Sequence, residues 1–163
     1  MGKRLILMRH AKSSWDDPRL DDHARPLNNR GERSARAMGD WLRQRGHVPD
    51  LVLSSDARRT RETAALLGFD AEARFTGRLY HASAKMMLEV LRGASGDCVL
   101  MIGHNPGIAD FAERIVSEPP EHPRFFDYPT CATLVAEVPQ ASWDAMEYGS
   151  ARALDFVIPR ELL

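Results

Sequence analysis

The chain has 163 residues, of which 44% are hydrophobic and 28% are charged, and this composition suits one globular domain with a real core. Its 22 basic and 23 acidic side chains leave a net charge of −1, which argues against nucleic acid or a membrane surface as a partner. No apolar run approaches the roughly 18 residues of a membrane span. Arg9 interrupts the first apolar run early, so we expect no signal peptide and a cytoplasmic protein.

Strands and helices are predicted to alternate through the first half of the chain. Continuous apolar runs are typical of buried parallel strands, and apolar residues at helical spacing mark the helices between them. Capping side chains before a helix and glycines after it set the boundaries. The predicted elements are a strand over residues 3–8, a long polar connection over 11–26, a helix from an Asn28 cap to about Arg45, a strand over 51–53, a helix capped by Asp56 and ending at Leu67, and an edge strand over 72–76.

The second half continues this alternation and then changes to strands alone. Ser83 is predicted to cap a helix, and Asn105 is predicted to cap another with Pro106 at its first position. The pattern as a whole predicts an α/β protein with a mixed sheet. The remaining predicted elements are a third parallel strand over residues 98–102, a proline-rich surface loop over 118–129, and two strands over 130–138 and 153–158 that pair as an antiparallel edge.

Histidines and arginines stand at the exits of three predicted strands. Arg9 and His10 follow the first strand, and His104 follows the third. The second strand leads into Arg58 and Arg59. In open α/β sheets, ligands bind outside the carboxyl ends of parallel strands. Neighbouring strands would therefore bring these side chains into one small volume, where no acidic cluster of the sequence neutralises them. Such a site suits a compact anion, and a phosphoryl group is the obvious candidate.

Each of these residue types has a specific chemical use. His10 can act as a nucleophile near neutral pH, since the ordinary pKa of an imidazole leaves much of it unprotonated. Arg59 falls in the first turn of a predicted helix, where backbone N–H groups favour anions and a guanidinium fork fits phosphate oxygens. The residues alone leave other interpretations open. His10 and His104 would then be structural histidines, and Arg59 would belong to a solvated basic face.

Other reaction classes lack their sequence signatures. The histidines have no metal-ligand spacing with cysteine or carboxylate, which argues against a zinc site. The glycine motifs that bind phosphates or dinucleotides are absent from the sequence, and so is the GxSxG turn. Neither Cys98 nor Cys131 is followed by an arginine at the spacing of a cysteine phosphatase loop. Both lie in apolar stretches, so we expect buried free thiols.

Three segments resemble motifs of the histidine phosphatase superfamily. Its Arg-His-Gly motif is similar to Leu7-Met8-Arg9-His10-Ala11-Lys12-Ser13. Its second motif, in which an arginine lies four residues after a serine and four before a threonine, resembles Ser55-Asp56-Ala57-Arg58-Arg59-Thr60-Arg61-Glu62-Thr63-Ala64. That register selects Arg59 over Arg58. The segment of its second histidine is similar to Gly103-His104-Asn105-Pro106.

The resemblance extends over nearly the whole chain and points to one branch of the superfamily. Arg25-Pro26-Leu27 with Arg30-Gly31, together with the compact length, resembles the branch of the phosphohistidine phosphatase SixA. Residues 1–163 would then form a single histidine phosphatase domain. The implied fold is phosphoglycerate mutase-like, a three-layer α/β/α sandwich whose mostly parallel central sheet has an antiparallel edge.

The resemblance also implies a mechanism. His10 would attack phosphorus in line and become transiently phosphorylated, and water would then hydrolyse the phosphohistidine. Arg9, Arg59 and His104 would bind the equatorial oxygens and neutralise charge in the transition state. No metal or cofactor is implied. The implied substrate is a phosphorylated protein, with a histidine-phosphotransfer domain as a candidate partner.

One feature departs from many superfamily members, which place a glutamate or aspartate as general acid after the second motif or beside the second histidine. Here the segment from Gly77 to His81 contains no carboxylate, and His104 is followed by Asn105. A phosphate ester leaves as an alkoxide, which needs protonation. A phosphohistidine leaves as an imidazole, which departs far more easily once its ring is protonated. The missing acid therefore favours a nitrogen–phosphorus bond or an activated ester.

Alternatives remain for the proton donor and for the function. His81 is a candidate substitute acid, and so are four aspartates that are otherwise expected to form a solvated face or to pair with Arg25: Asp16, Asp17, Asp21 and Asp22. A second function is hydrolysis of a small phosphorylated metabolite, and a third is non-catalytic binding of phosphate or a phosphoprotein. Two histidines and two arginines argue against the third, since binding alone needs no nucleophile.

Overall fold

The computed structural model describes residues 2–163 as six strands and four α-helices, with short 3-10 turns between some of them. In chain order the elements are β1 (Lys3–Arg9), α1 (Asn29–Gln44), β2 (Leu51–Ser55), α2 (Arg58–Leu67), β3 (Glu72–Thr76), α3 (Ala84–Arg92), β4 (Cys98–Gly103), α4 (Gly107–Ile115), β5 (Thr133–Val138) and β6 (Arg152–Val157). Within these residues, no helix is both long enough and apolar enough to cross a bilayer.

All six strands form one sheet with the order β3-β2-β4-β1-β5-β6. The strands β3, β2, β4 and β1 are parallel to one another, while β5 pairs antiparallel with both β1 and β6. The prediction of a mixed sheet with an antiparallel edge is confirmed, and β3 is the edge strand expected over residues 72–76. Because β1, β4 and β2 are neighbours, their carboxyl ends lie side by side.

Helices cover both faces of the sheet, and the sheet separates the core into two hydrophobic clusters. Along β1, Leu5 and Leu7 belong to the cluster beneath α3 and α4, while Ile6 and Met8 belong to the cluster beneath α1 and α2. All four side chains are fully buried, since successive residues of a strand point to opposite faces and both faces are covered here. The molecule is the three-layer α/β/α sandwich that the resemblance implies.

Both cysteines are buried on the face covered by α1 and α2, and neither forms a disulfide. Burial raises the pKa of the Cys98 thiol to about 11 and that of the Cys131 thiol to about 12. The prediction of buried free thiols is confirmed. Neither sulfur is ionised at neutral pH, so neither is a reactive nucleophile.

Two of the four predicted helix caps are confirmed and two are wrong. Asn28 accepts a hydrogen bond from the Gly31 N–H at 2.8 Å, and Ser83 accepts one from the Met86 N–H at 3.2 Å. Asp56 does not cap α2, because its carboxylate accepts a hydrogen bond from the His23 ring and the helix begins after Ala57. Similarly, Asn105 does not cap α4, because its side-chain amide donates instead to the backbone carbonyls of Asp127 and Tyr128.

The start of α1 packs directly on the segment that follows β1. A Cβ atom added at Gly31 would lie 2.1 Å from the backbone oxygen of Lys12, so only glycine permits this approach. The same oxygen accepts a hydrogen bond from the Asn28 N–H at 3.0 Å. This contact fixes the position of Lys12 and of the first turn of α1 relative to the carboxyl end of β1.

Candidate active site

The carboxyl ends of β1, β2 and β4 open into a cavity of about 320 Å³. Arg9 is the last residue of β1 and His10 follows it, while His104 follows β4 and Arg59 lies in the first turn of α2. All four side chains line this cavity, and the centroids of the two histidine rings are 5.2 Å apart. The structure therefore brings the four sequence-predicted residues together, although up to 95 positions separate them in the sequence.

His10 is held in one tautomer by the backbone. Its Nδ1 lies 2.7 Å from the carbonyl oxygen of Ala11, and because a carbonyl only accepts, Nδ1 must carry the proton. Nε2 therefore keeps its lone pair. Burial lowers the pKa of His10 to about 3, and the positive charges of Arg59 and Arg9 add to this effect. The ring is neutral at physiological pH and has one unprotonated nitrogen.

His104 connects β2 to the arginine of α2. A terminal nitrogen of Arg59 donates to Nδ1 of His104 at 3.2 Å, and Nε2 of His104 lies 2.8 Å from the Ser55 hydroxyl. Since the guanidinium only donates, Nδ1 accepts and Nε2 carries the proton in this arrangement. Burial lowers the pKa of His104 to about 2, with further lowering by His10 and Arg59. His104 is therefore also neutral.

Arg9 is anchored by the loop that precedes β5. One terminal nitrogen donates to the backbone oxygen of Tyr128 at 3.3 Å. Its Nε is buried and has no hydrogen-bond partner among residues 2–163. Burial lowers the pKa of Arg9, and the charge of Arg59 acts in the same direction. An anion in the cavity would relieve both the unfavourable burial and the repulsion between the two guanidinium groups.

Asp22 places a single carboxylate in this basic site, for which the sequence predicts no acidic cluster. Its Oδ2 accepts hydrogen bonds from Arg59 at 2.9 Å, from the Tyr80 hydroxyl at 2.6 Å and from His81 Nε2 at 3.0 Å. Arg25 donates to Oδ1 at 3.3 Å, so the expected pairing of an aspartate of this connection with Arg25 is confirmed for Asp22. Partial burial would raise the pKa of Asp22, but the hydrogen bonds outweigh it and hold this pKa well below the usual range.

Sequence reasoning missed Tyr80 altogether. Burial raises the pKa of Tyr80 to about 12, and its hydrogen bond to Asp22 acts in the same direction. The residue lies 58 positions from Asp22, and no spacing rule joins the two. Its neighbour His81 lines the cavity with a backbone φ of 50°, a left-handed conformation that histidine adopts more readily than most side chains.

The wall of the cavity consists mainly of hydrogen-bond donors. Besides the four predicted residues and Asp22, it includes basic, hydroxyl and amide groups and one exposed indole: Lys12, Ser13, Trp15, Arg25, Asn105 and Thr130. Within residues 2–163, no three His, Cys, Asp or Glu side chains are arranged to hold a metal ion. A wall of cations and neutral donors matches the chemistry of a tetrahedral oxyanion.

Comparisons with known proteins agree with this geometry. The histidine phosphatase superfamily (branch 1) matches residues 5–81. An uncharacterised protein of Mycobacterium tuberculosis is 36% identical and aligns over 94% of this chain and 100% of its own length. The chain belongs to the histidine phosphatase superfamily.

Two solved structures indicate the branch of the superfamily to which the chain belongs. Both are of candidate phosphohistidine phosphatases SixA, one from Nakamurella multipartitia and one from Agrobacterium tumefaciens. The first is 28% identical with a TM-score of 0.83 and covers 98% of this chain and 97% of its own. The second is 26% identical with a TM-score of 0.79 and covers 98% of this chain and 99% of its own. Within the superfamily, the chain belongs to the SixA-like branch and has the phosphoglycerate mutase-like fold.

Proposed function

We propose that the protein is a phosphatase that removes the phosphoryl group from phosphohistidine in a protein, through a covalent intermediate on His10. The hydrogen bond from His10 Nδ1 to the Ala11 carbonyl carries this proposal. It leaves Nε2 unprotonated in a cavity that Arg9 and Arg59 also line. A neutral imidazole beside two cations combines a nucleophile with the charges that a transferring phosphoryl group needs.

The proposed reaction has two displacements at phosphorus. In the first, Nε2 of His10 forms a bond to phosphorus as the bond from phosphorus to the substrate imidazole breaks. The substrate imidazole, protonated from solvent at its other ring nitrogen, departs as the neutral ring. In the second, water attacks the phosphorylated His10 and releases inorganic phosphate, which returns the ring to its neutral state. Arg9 and Arg59 stabilise the charge on the equatorial oxygens in both steps.

The state of Asp22 favours a nitrogen leaving group. Asp22 is the carboxylate that lines the cavity, and its hydrogen bonds keep it ionised. An ionised carboxylate has no proton to give, so it cannot serve as the general acid that an alkoxide leaving group requires. A phosphohistidine needs no acid from the enzyme once solvent has protonated its second ring nitrogen, because the leaving group is then a neutral imidazole, a much weaker base than an alkoxide. The site therefore supports hydrolysis of a nitrogen–phosphorus bond.

A substrate panel tests the proposal. Both the wild type and His10→Gln are assayed with three kinds of substrate: a phosphorylated histidine-phosphotransfer domain, a phosphohistidine peptide and several sugar phosphates. We expect rapid release of phosphate from the two phosphohistidine substrates, an acid-labile phosphoenzyme in the wild type, and neither with His10→Gln. Much faster turnover of the sugar phosphates would overturn the proposed substrate. Phosphate binding without turnover or phosphoenzyme would indicate a binding module.

The position of His81 supports a second candidate function, hydrolysis of a small phosphate ester. The His81 ring lines the cavity and donates a hydrogen bond to Asp22, and a histidine beside a carboxylate is a common proton donor. In that case His81→Gln would slow ester turnover strongly and leave phosphohistidine turnover unchanged. The variant therefore distinguishes the two substrates.

A further inference from the structure

A second cavity of about 470 Å³ adjoins the catalytic one and is lined by basic side chains. The two cavities share Lys12 and Thr130. We call the second cavity the basic groove and define it by its four cations, which come from four separate parts of the chain: Lys12, Arg30, Arg124 and Arg160. Lys12 also lines the catalytic cavity, whereas Arg30, Arg124 and Arg160 do not.

Carboxylates do not balance the charge of the basic groove. Arg124 alone has an acidic partner, Asp127, at 2.9 Å. Across residues 2–163, no carboxylate oxygen lies within 4.0 Å of the charged groups of Lys12, Arg30 or Arg160. In a protein with a net charge of −1, a groove that gathers three uncompensated cations is a local excess of charge that an anion would relieve.

Packing of the backbone fixes where Lys12, Arg30 and Arg160 lie relative to one another. The close approach of Gly31 fixes the backbone of Lys12 against the first turn of α1, which carries Arg30. Arg160 lies in a 3-10 turn over Pro159–Glu161 that packs against α1. The N-terminus of α1 adds a partial positive charge at the same end of the groove. The positive potential is therefore a feature of the backbone arrangement as well as of long side chains.

The groove also has apolar walls. Pro129, Ile158 and Pro159 line it beside the cations, and of the three Pro129 is only partly buried and so can contact a ligand. A surface that combines apolar contacts with spaced cations suits an extended peptide with acidic side chains better than a single small anion, which would use the cations alone.

We infer that the basic groove binds an acidic segment of the substrate protein, next to the phosphohistidine that enters the catalytic cavity. This inference rests on the proposed function and adds to it a sequence preference. The phosphoryl group lies against His10, and the carboxylates of neighbouring residues lie along Arg30 and Arg160. Lys12 stands between the two cavities and contributes to both.

Binding of two peptides tests this inference without relying on turnover. Both peptides carry a non-hydrolysable phosphohistidine analogue, flanked in one by two aspartates and in the other by two asparagines. We expect wild-type protein to bind the aspartate peptide about tenfold more tightly, the range that one or two partly exposed charge pairs provide. The double variant Arg30→Gln/Arg160→Gln should lose this preference while its affinity for the asparagine peptide stays unchanged.

The control is Arg33→Gln/Arg36→Gln, which removes two exposed charges from α1 outside both cavities and should keep the tenfold preference. Equal affinities in the wild type, or a preference that survives Arg30→Gln/Arg160→Gln, would overturn the inference. So would failure of both peptides to bind. If the wild type prefers the aspartate peptide but does not hydrolyse phosphohistidine, the proposed catalysis is wrong and the acidic-segment site is still supported.

Discussion

Arg59 and Asp22 are joined by two hydrogen bonds in the catalytic cavity. One terminal nitrogen of Arg59 donates to the backbone oxygen of Asp22 at 2.6 Å, and the other donates to its carboxylate at 2.9 Å. The second nitrogen also reaches His104 at 3.2 Å. Both ends of the guanidinium are thus occupied before an oxyanion enters. A phosphoryl group must compete with Asp22 for the side chain that we propose to bind it.

Asp22→Asn should strengthen the binding of inorganic phosphate by about tenfold. Two like charges about 5 Å apart repel by about 3 kcal/mol at an effective dielectric constant of about 20, and solvent screening at this half-exposed carboxylate reduces the effect. The measurement is the inhibition constant of phosphate at pH 7. The control is Asp16→Asn, which removes an exposed charge from the same connection. Weaker phosphate binding in Asp22→Asn would show that the carboxylate serves mainly to hold the cavity together.

Arg59 and Arg58 should respond very differently to substitution. Arg59 is 3% exposed and lines the cavity, whereas Arg58 is exposed and pairs with Glu62 at 3.1 Å. We expect Arg59→Gln to fold and to lose at least about 100-fold in kcat, the usual cost of removing a donor from a transition-state oxyanion. Arg58→Gln should stay within about twofold. Similar losses in the two variants would contradict the assignment of Arg59 as the phosphoryl ligand.

Strand exits and local caps could be predicted from the sequence because both follow from short-range rules. Parallel strands end at a common edge, so residues after apolar runs meet there, as Arg9, His10 and His104 do. Asn28 and Ser83 cap helices through N–H groups three positions away. The mistaken caps, Asp56 and Asn105, have the right chemistry for capping. Their side chains bond instead to distant groups that only the folded chain brings near.

The polar connection after β1 contains the part of the site that sequence reasoning could not place. Without an apolar period, nothing in residues 11–26 indicates which of its aspartates turns inward. Asp22 does so because Arg25, Arg59, Tyr80 and His81 all donate to it. Three of these partners lie 37 to 59 positions away. The inward position of Asp22 therefore cannot be predicted until the fold has placed Arg59, Tyr80 and His81 around it.

Ser55 should matter to catalysis through His104. In the arrangement observed, Arg59 donates to His104 Nδ1, so Nε2–H points to the Ser55 hydroxyl. When Arg59 turns to a phosphoryl group, His104 can offer Nδ1–H to the oxyanion only if Ser55 donates to Nε2. A hydroxyl can accept in the first arrangement and donate in the second. Ser55 would thus be a positioning residue that permits both tautomers.

We therefore expect Ser55→Ala to lower kcat about tenfold with little change in KM, and Ser55→Thr to restore most of it. The matched control is Ser54→Ala, because Ser54 is also fully buried but donates to the Ser55 backbone oxygen and not to His104. Thermal unfolding of each variant separates a folding defect from a catalytic one. Equal kcat losses for Ser54→Ala and Ser55→Ala would contradict a role through His104.

Acid should destabilise the protein because two histidines are buried in their neutral form. In the folded protein burial lowers the pKa of His10 to about 3 and that of His104 to about 2, whereas an unfolded histidine has a pKa of about 6.5. Below pH 6.5 the unfolded chain binds more protons than the folded one, so the free energy of unfolding falls as the pH falls. From pH 7 to pH 5 this amounts to about 2 kcal/mol for each histidine.

Urea unfolding at pH 7 and pH 5 measures this effect. The stabilising contribution of each neutral ring is fully present above the unfolded pKa and decreases as the pH drops toward the folded values. His10→Gln removes one titrating group, so the difference in unfolding free energy between the two pH values should shrink by about 2 kcal/mol relative to the wild type. The comparison stops at pH 5 because Asp22 and other carboxylates begin to titrate in the unfolded chain below that pH. An identical pH dependence in wild type and His10→Gln would mean that His10 is not held neutral in the folded protein.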